Sequence, residues 1–389
     1  MAYRSVGRAL LLCGSTAIAG FGALGLSSNA GMASLGQICA IGIAGNMLIS
    51  IYLLPAWWSK LATSQTRATE QTGSENAVGV ESPSSLYRSE LWVLGVKVVR
   101  TLPDWLCKHL TRCLAAVYWF AAKHRREVVI QNLLPVFGGD LSASRQAARN
   151  LFRNFAFKLI DLWRYEGGMS IQHMLGSDDG WENMVRAANE KRGVLLLSPH
   201  LGNWEFGGPW LTERGLDFHV ITLQEPGESL TNFRRKARAR WRVKTVVIGN
   251  DLFGFVEIIR LLENGATIAL LMDRPLPANS MLVQLFGRPF PASVAAAELA
   301  RASGCALLPG YVIRDGSSYT AHLLPQITYD RPALRDRAAR QALTQRIMTA
   351  FEPVIQLHPD QWYHFVPVWP KGNAKTASQN TEAGQTLPD

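Results

Sequence analysis

The 389-residue chain is poor in charge, with only 18% Asp, Glu, Lys and Arg, and it lacks the usual signatures of hydrolases, metalloenzymes and nucleotide-binding proteins. It contains no Gly-x-Ser-x-Gly elbow, no His-Glu-x-x-His helix, no phosphate-binding Gly-rich loop and no Cys–His arrangement. A protein nucleophile of the usual kind is therefore missing. The five cysteines, Cys13, Cys39, Cys107, Cys113 and Cys305, form no CxxC pair and no His/Cys cluster, so no metal-ligand set can be read from the spacings. Their odd number argues against a disulfide framework and for a reducing compartment. Zinc-finger spacing, RNP-like aromatic motifs and helix-turn-helix patterns are also absent, which removes the main grounds for a nucleic-acid partner.

Acidic residues are outnumbered by basic ones, 30 to 40, leaving a net charge of +10. Twelve tryptophans, several beside basic residues (Trp57, Trp58 and Lys60; Trp92 and Lys97; Trp105 and Lys108), suit an anionic membrane surface. Two uncharged apolar runs, residues 9–27 and 35–58, each approach the ~20 residues that cross a bilayer as a helix. Only a short Ser, Asn, Gly and Ala turn parts them, so the pair is expected to form a transmembrane hairpin rather than a signal peptide. Arg4 and Arg8 before it and Lys60 and Arg67 after it place both ends in the cytoplasm. The expected organisation is a two-helix hairpin over 1–60, a polar flexible linker over 61–85, a catalytic domain over 86–371 and a disordered tail over 372–389.

Beyond the linker, apolar residues at helical spacing predict helices through WVLGVKVV, WLCKHLTRCLAAVYWFA, VVIQNLLPVF and LSASRQAARNLFRNFAFKLIDLWR, the last opened by Ser142 as N-cap. Six strand-like segments follow: GVLLLSP, FHVITL, KTVVIG, ATIALLMD, ALLPGYVI and YTAHLLPQI. Helical stretches separate most of them. That alternation predicts an α/β domain with a central mixed sheet flanked by helices.

The chemistry concentrates in GVLLLSPHLGNWEFGG, residues 193–208. An apolar strand runs into Ser-Pro-His, then a glycine turn, then helix, so His200 is expected at the carboxyl edge of the sheet, where α/β folds bind ligands. Glu205, five residues on, is expected to swing back to the imidazole. A carboxylate that fixes the tautomer and stabilises the imidazolium makes such a histidine a general base. With no protein nucleophile to activate, the base would act directly on a substrate hydroxyl or amine. His-x4-Glu by itself is a weak pattern, and a buried, hydrogen-bonded histidine is the plain alternative.

The same segment resembles the H-x4-D/E motif of the lysophospholipid and lipid A acyltransferase superfamily, in its glutamate form. LMDRP (271–275), the stretch from VQLFGRPFP to LLPGYVIR, KHRREVVIQNLLPVFG and PDQWYHFVPVW resemble further blocks of the lipid A lauroyl/myristoyl transferases, so the likeness covers about 86–371. The resemblance implies a glycerolipid-acyltransferase-like fold and makes His200 the base and Glu205 its partner. Asn203 of the same motif, with Asp273 and Arg274 after the ATIALLM strand, falls to substrate binding, where Arg274 could bind phosphate or the developing oxyanion, although Asp273 suits a structural cap equally well. Arg238 or Arg240, in the basic run RRKARARWR, would hold a phosphorylated donor or acceptor, with a solvated helix face or a lipid-headgroup contact as the equal alternative, and Phe286, Gly287 and Arg288 would form a wall of the acyl groove. The family's late basic His-Arg-Arg run is replaced here by QWYHFVPVWP, which puts contacts made by that tail in doubt. The two N-terminal runs resemble the last two helices of RND/MMPL-type lipid exporters.

The implied activity is transfer of a fatty acyl chain from acyl-carrier protein or acyl-CoA to a hydroxyl or amine of a membrane lipid at the bacterial inner membrane, on its cytoplasmic side and without a cofactor or metal. An RND-type exporter is a further candidate partner. The rival readings are a catalytically silent, lipid-holding partner of such an exporter, and a thioesterase.

Overall fold

The computed structural model describes residues 14–27, 29–48, 89–223, 228–248, 253–275 and 279–370. Contacts divide the chain into two units, Met1–Ser82 and Pro83–Asp389.

In the first unit, helix α1 (residues 14–24) turns into α2 (Ala30–Leu48). The Asn29 carboxamide caps α2, its oxygen accepting from the Gly31 and Met32 N–H groups at 3.0 and 3.4 Å. The helices touch backbone to backbone at Gly36, where a Cβ would lie 2.4 Å from the Gly25 nitrogen. The expected helical hairpin is therefore present. Among the described residues, however, no helix is long and apolar enough to cross a membrane. The outer ends of both runs (9–13 and 49–58), the flanking basic residues Arg4, Arg8, Lys60 and Arg67, the linker 61–85 and the tail 372–389 lie outside the described residues.

The second unit opens with four helices: α3 (Ser89–Thr101), α4 (Asp104–Ala121), α5 (Lys123–Leu133) and α6 (Leu141–Glu166). Asp140, not Ser142, caps α6: its carboxylate accepts from the Ser142 and Ala143 N–H groups at 2.8 and 3.0 Å. Asp140 precedes the first helical residue and keeps an extended backbone (ψ 105°), which aims its side chain back at the free N–H groups, whereas Ser142 is already helical.

Seven strands then form one sheet: β1 (Leu175–Asp179), β2 (Val194–Ser198), β3 (Phe218–Leu223), β4 (Lys244–Ile248), β5 (Thr267–Leu271), β8 (Ala306–Asp315) and β9 (Ser318–Leu323). Their order is β1-β9-β8-β2-β5-β3-β4, parallel throughout except for the β8–β9 hairpin. All six expected strands are in it. The helices between strands are α7 (Trp181–Asn189), α8 (Gly207–Glu213), α9 (Glu228–Arg240), α10 (Phe253–Glu263), α11 (Ala295–Ser303) and, after the sheet, α12 (Arg337–Leu357). Strand β2 sits centrally and reads Val-Leu-Leu-Leu because both its faces are covered. Leu195, Leu197, Ile268 and Leu307 are fully buried in one cluster with Leu151 of α6 and Phe351 of α12.

Strands β6 (Ser280–Leu285) and β7 (Arg288–Ser293) pair as a separate antiparallel hairpin. Its two-residue turn is Phe286-Gly287, both at positive φ (50° and 69°), the arrangement that follows strand twist. The Phe286 N–H donates to Glu352 of α12 at 2.6 Å. Phe286, Gly287 and Arg288, expected as a groove wall, thus lie in a turn fixed against α12, with Arg288 exposed. The hairpin reaches the sheet edge instead through Phe290, whose ring packs on Trp362 and Trp369 with centroids 6.3 and 5.5 Å away.

Candidate active site

Parallel register builds the centre of the site. Ser198 at the end of β2 lies opposite Leu271 at the end of β5. Two residues beyond each end stand His200 and Asp273, so they meet at the carboxyl edge of the sheet. The Asp273 carboxylate accepts from the His200 backbone N–H (2.9 and 3.0 Å) and from its Nδ1 (2.6 Å). It also accepts from Trp362 Nε1 at 2.9 Å and His364 Nε2 at 2.7 Å. Burial works to raise its pKa, but the facing imidazoles and their hydrogen bonds hold Asp273 well below the usual carboxylate range. The imidazole of His200 is pulled down to about 4, chiefly by burial and against the pull of Asp273. At neutral pH it is uncharged, its Nδ1–H is committed to Asp273, and Nε2 has no hydrogen-bond partner among the described residues.

His200, Asp273 and His364 also form a potential three-ligand group, with donor atoms within 4.8 Å of one another. Contacts of 2.6 and 2.7 Å are direct hydrogen bonds, and four N–H donors occupy the carboxylate's lone pairs. The arrangement is that of a hydrogen-bonded carboxylate.

Glu205 does not turn back to His200. It sits in the 3-10 turn Trp204–Phe206 and forms a bidentate pair with Arg238 of α9, at 2.9 and 2.6 Å. The cause lies in the loop after His200. The Gly202 N–H bonds the Gln361 carbonyl and the Asn203 N–H bonds the Val312 carbonyl, both at 2.9 Å. The chain is thereby drawn over β8, the neighbour of β2 on the side away from β5 and Asp273. Burial raises the Glu205 pKa, yet Arg238, with Arg234 and Lys158, brings it below its ordinary value. Arg240 is turned elsewhere, donating to the Glu166 carbonyl at 3.0 Å. Arg274 is exposed and close enough for its charge to lower the His200 pKa.

Among the described residues, no serine or cysteine side chain is hydrogen-bonded to this strand-edge imidazole, whose side-chain partner is the buried carboxylate of Asp273. The family model of bacterial lipid A biosynthesis acyltransferases matches residues 82–371. The chain belongs to that family. Phosphatidylinositol mannoside acyltransferases are among its relatives: one from Mycobacterium tuberculosis strain CDC 1551 is 25% identical over 289 residues, covering 72% of this chain and 87% of the relative. Another, from Mycolicibacterium smegmatis, is 24% identical over 288 residues, covering 72% and 90%. The MMPL family matches residues 1–103, in agreement with the exporter-like hairpin. The protein is thus an acyltransferase of the lipid A biosynthesis family.

Several residues of this candidate site escaped the sequence reading. Trp362 and His364 come from the segment where the family's usual ending is missing, and they bind Asp273. Lys158 of α6 is buried, with Nζ 2.9 Å from the Trp204 ring centroid and 4.8 Å from that of Tyr363. Burial drives its pKa well below the ordinary lysine value, against the opposing pull of Glu205 and Asp273. Helical periodicity counts position 158 as one polar residue among apolar ones, so only the packing of α6 on the 200–205 loop reveals it. Asn203 is fully buried, and neither its Oδ1 nor its Nδ2 has a partner among the described residues, a costly state that suits a group held for a ligand.

Gly202 is the hinge of the loop. Its φ is +58°, and a Cβ would fall 1.8 Å from the Val312 carbonyl oxygen. Gly202→Ala is expected to cost at least about 1–2 kcal/mol from the left-handed conformation alone, and to break the Asn203–Val312 bond as well. Thermal unfolding checks this: an unchanged midpoint would show that the loop is not anchored in this way.

Proposed function

We propose that the enzyme transfers a fatty acyl group from a thioester donor, acyl-carrier protein or acyl-CoA, to a hydroxyl of a membrane glycolipid, with His200 as general base and Asp273 as its orienting carboxylate. The observation that carries this reading is the His200–Asp273 couple at the ends of two adjacent parallel strands. Nε2 takes the acceptor's hydroxyl proton as the oxygen attacks the thioester carbon. When the tetrahedral intermediate collapses, the C–S bond breaks and the imidazolium returns the proton to the leaving sulfur. Developing negative charge on the carbonyl oxygen is met by Arg274 on the same rim and by the unbonded amide of Asn203. Glu205 serves as the counter-ion that holds Arg238 and the 200–205 loop. The relatives act, by name, on phosphatidylinositol mannoside, which favours a mannosylated or otherwise glycosylated phospholipid as acceptor. The MMPL-like hairpin supports a place at the cytoplasmic face of the inner membrane, beside a lipid exporter.

The decisive assay follows label from acyl-carrier protein or acyl-CoA into total membrane lipid, comparing wild type with His200→Ala. A labelled glycolipid made by wild type alone supports the proposal. Free fatty acid as the sole product favours a thioesterase, and inert wild-type protein favours a silent exporter partner. Because burial lowers the His200 pKa, the acid limb of kcat/KM is expected well below the ordinary histidine value of 6.5. A limb at or above that value would contradict a desolvated base.

A further inference from the structure

A cavity of about 500 Å³ lies between α4, α6, the β8–β9 turn and the turn Pro359–Gln361. Lys108, Arg112, Arg153 and Arg314 line it against a single carboxylate, Asp360. Three of these five charges are already engaged. Lys108 Nζ pairs with Asp104 at 2.7 Å, Arg314 Nε lies 3.5 Å from Asp161, and Asp360 accepts from Asn154 Nδ2 at 3.0 Å. No carboxylate among the described residues is in ion-pair reach of Arg112 or Arg153. Phe157 holds two of the guanidiniums at the cavity: the Cζ atoms of Arg314 and Arg112 stand 4.4 and 5.9 Å from its ring centroid. The volume is that of a small-molecule site rather than a surface dimple.

Helix α4, which supplies Lys108 and Arg112, has a second peculiarity. Its inward seam is Cys107, Thr111, Ala115 and Trp119, one residue per turn. The opposite face is apolar and bare: Trp105 is 63% exposed, Leu114 52%, Val117 63% and Phe120 70%. A helix with apolar residues on one side and cations along its flank has the make-up of one lying in a membrane interface, apolar face in the acyl region and cations at headgroup level.

We infer that the basic cavity is a headgroup socket: it takes the phosphate of an anionic membrane lipid while the outer face of α4 enters the bilayer. Arg112 and Arg153 supply the uncommitted charge, and their planar forks suit phosphate oxygens. A lipid held there fixes the domain's height and tilt on the membrane. This role is separate from acyl transfer and is tested without it.

The test uses the full-length His200→Ala chain in neutral detergent, with bound lipid counted by native mass spectrometry. Phosphatidylglycerol and phosphatidylcholine of identical chains are offered separately. Preferential retention of phosphatidylglycerol is expected, and Arg112→Ala/Arg153→Ala should weaken it about tenfold or more, since each basic residue at an anionic surface contributes about a factor of five. Arg112→Lys/Arg153→Lys should recover part of it, which separates lost charge from lost fold. An equal loss in Arg335→Ala/Arg337→Ala, exposed arginines at the start of α12, would reduce the effect to diffuse charge and overturn the socket. Displacement of the lipid by free coenzyme A, with coenzyme A binding lost in Arg112→Ala/Arg153→Ala, would assign the cavity to a soluble phosphate and overturn the lipid assignment.

Discussion

Asp273→Asn is expected to lower kcat by about 10³–10⁴-fold while the enzyme stays folded, the scale seen when the carboxylate orienting a catalytic histidine becomes an amide. The amide keeps the shape of Asp273 but offers one accepting oxygen where two now meet His200 Nδ1, His364 Nε2, Trp362 Nε1 and the His200 backbone N–H. The imidazole then loses both the bond that fixes Nδ1–H and the negative charge that stabilises its protonated form. Removing that charge leaves burial, with the His364 and Arg274 charges, unopposed in lowering the His200 pKa, so the acid limb of the residual activity should move further down. His200→Ala should cost at least as much, and the two changes combined little more than either, because they disable one unit. Steady-state kinetics of the three variants at several pH values test this. Independent, multiplying losses would show that Asp273 acts elsewhere than through His200.

Glu205→Ala should fail in a different way. It leaves the buried Arg238 without its bidentate partner, a change that costs about 3–5 kcal/mol in comparable buried pairs. Replacing both residues by methionine removes the stranded charge and is expected to return most of that stability. Calorimetric unfolding of the single and double variants checks the pattern. The pair also sets a pH dependence. Because the folded-state pKa of Glu205 is lowered, its contribution is fully present above the ordinary glutamate value of 4.5 and is lost as the pH falls through the lowered one. Glu205→Gln should leave the acid limb of catalysis where it is. A shift as large as that of Asp273→Asn would mean that Glu205 reaches His200 during turnover after all.

His200 was legible because a run of apolar residues ending in Ser-Pro-His and a glycine can only be a buried strand leaving the sheet at its carboxyl edge. Its carboxylate was not. Glu205 is near in sequence and was the natural choice. Asp273 lies seventy-three residues away and meets His200 because β2 and β5 are neighbours in register. The strands missed in the sequence, one in the sheet and one in the separate hairpin, have local causes. β1 reads Leu-Gly-Ser-Asp-Asp, with no alternation, and β7 carries two prolines, which periodicity scores as loop. The hairpin turn Phe286-Gly287 was noticed as a family motif, but its partner in α12 is a tertiary matter.

Composition and pattern by themselves determined the α/β class, the six main strands, the helical hairpin, the basic character and the place of His200 at the carboxyl edge of the sheet, since each follows from local periodicity or from a motif shorter than one element. Tertiary structure decided which carboxylate bonds His200, which arginine Glu205 holds, and that Trp362, His364 and Lys158 gather around them. The physical reason is that a carboxylate's role depends on what lies within about 3 Å of its oxygens, and strand order sets that distance.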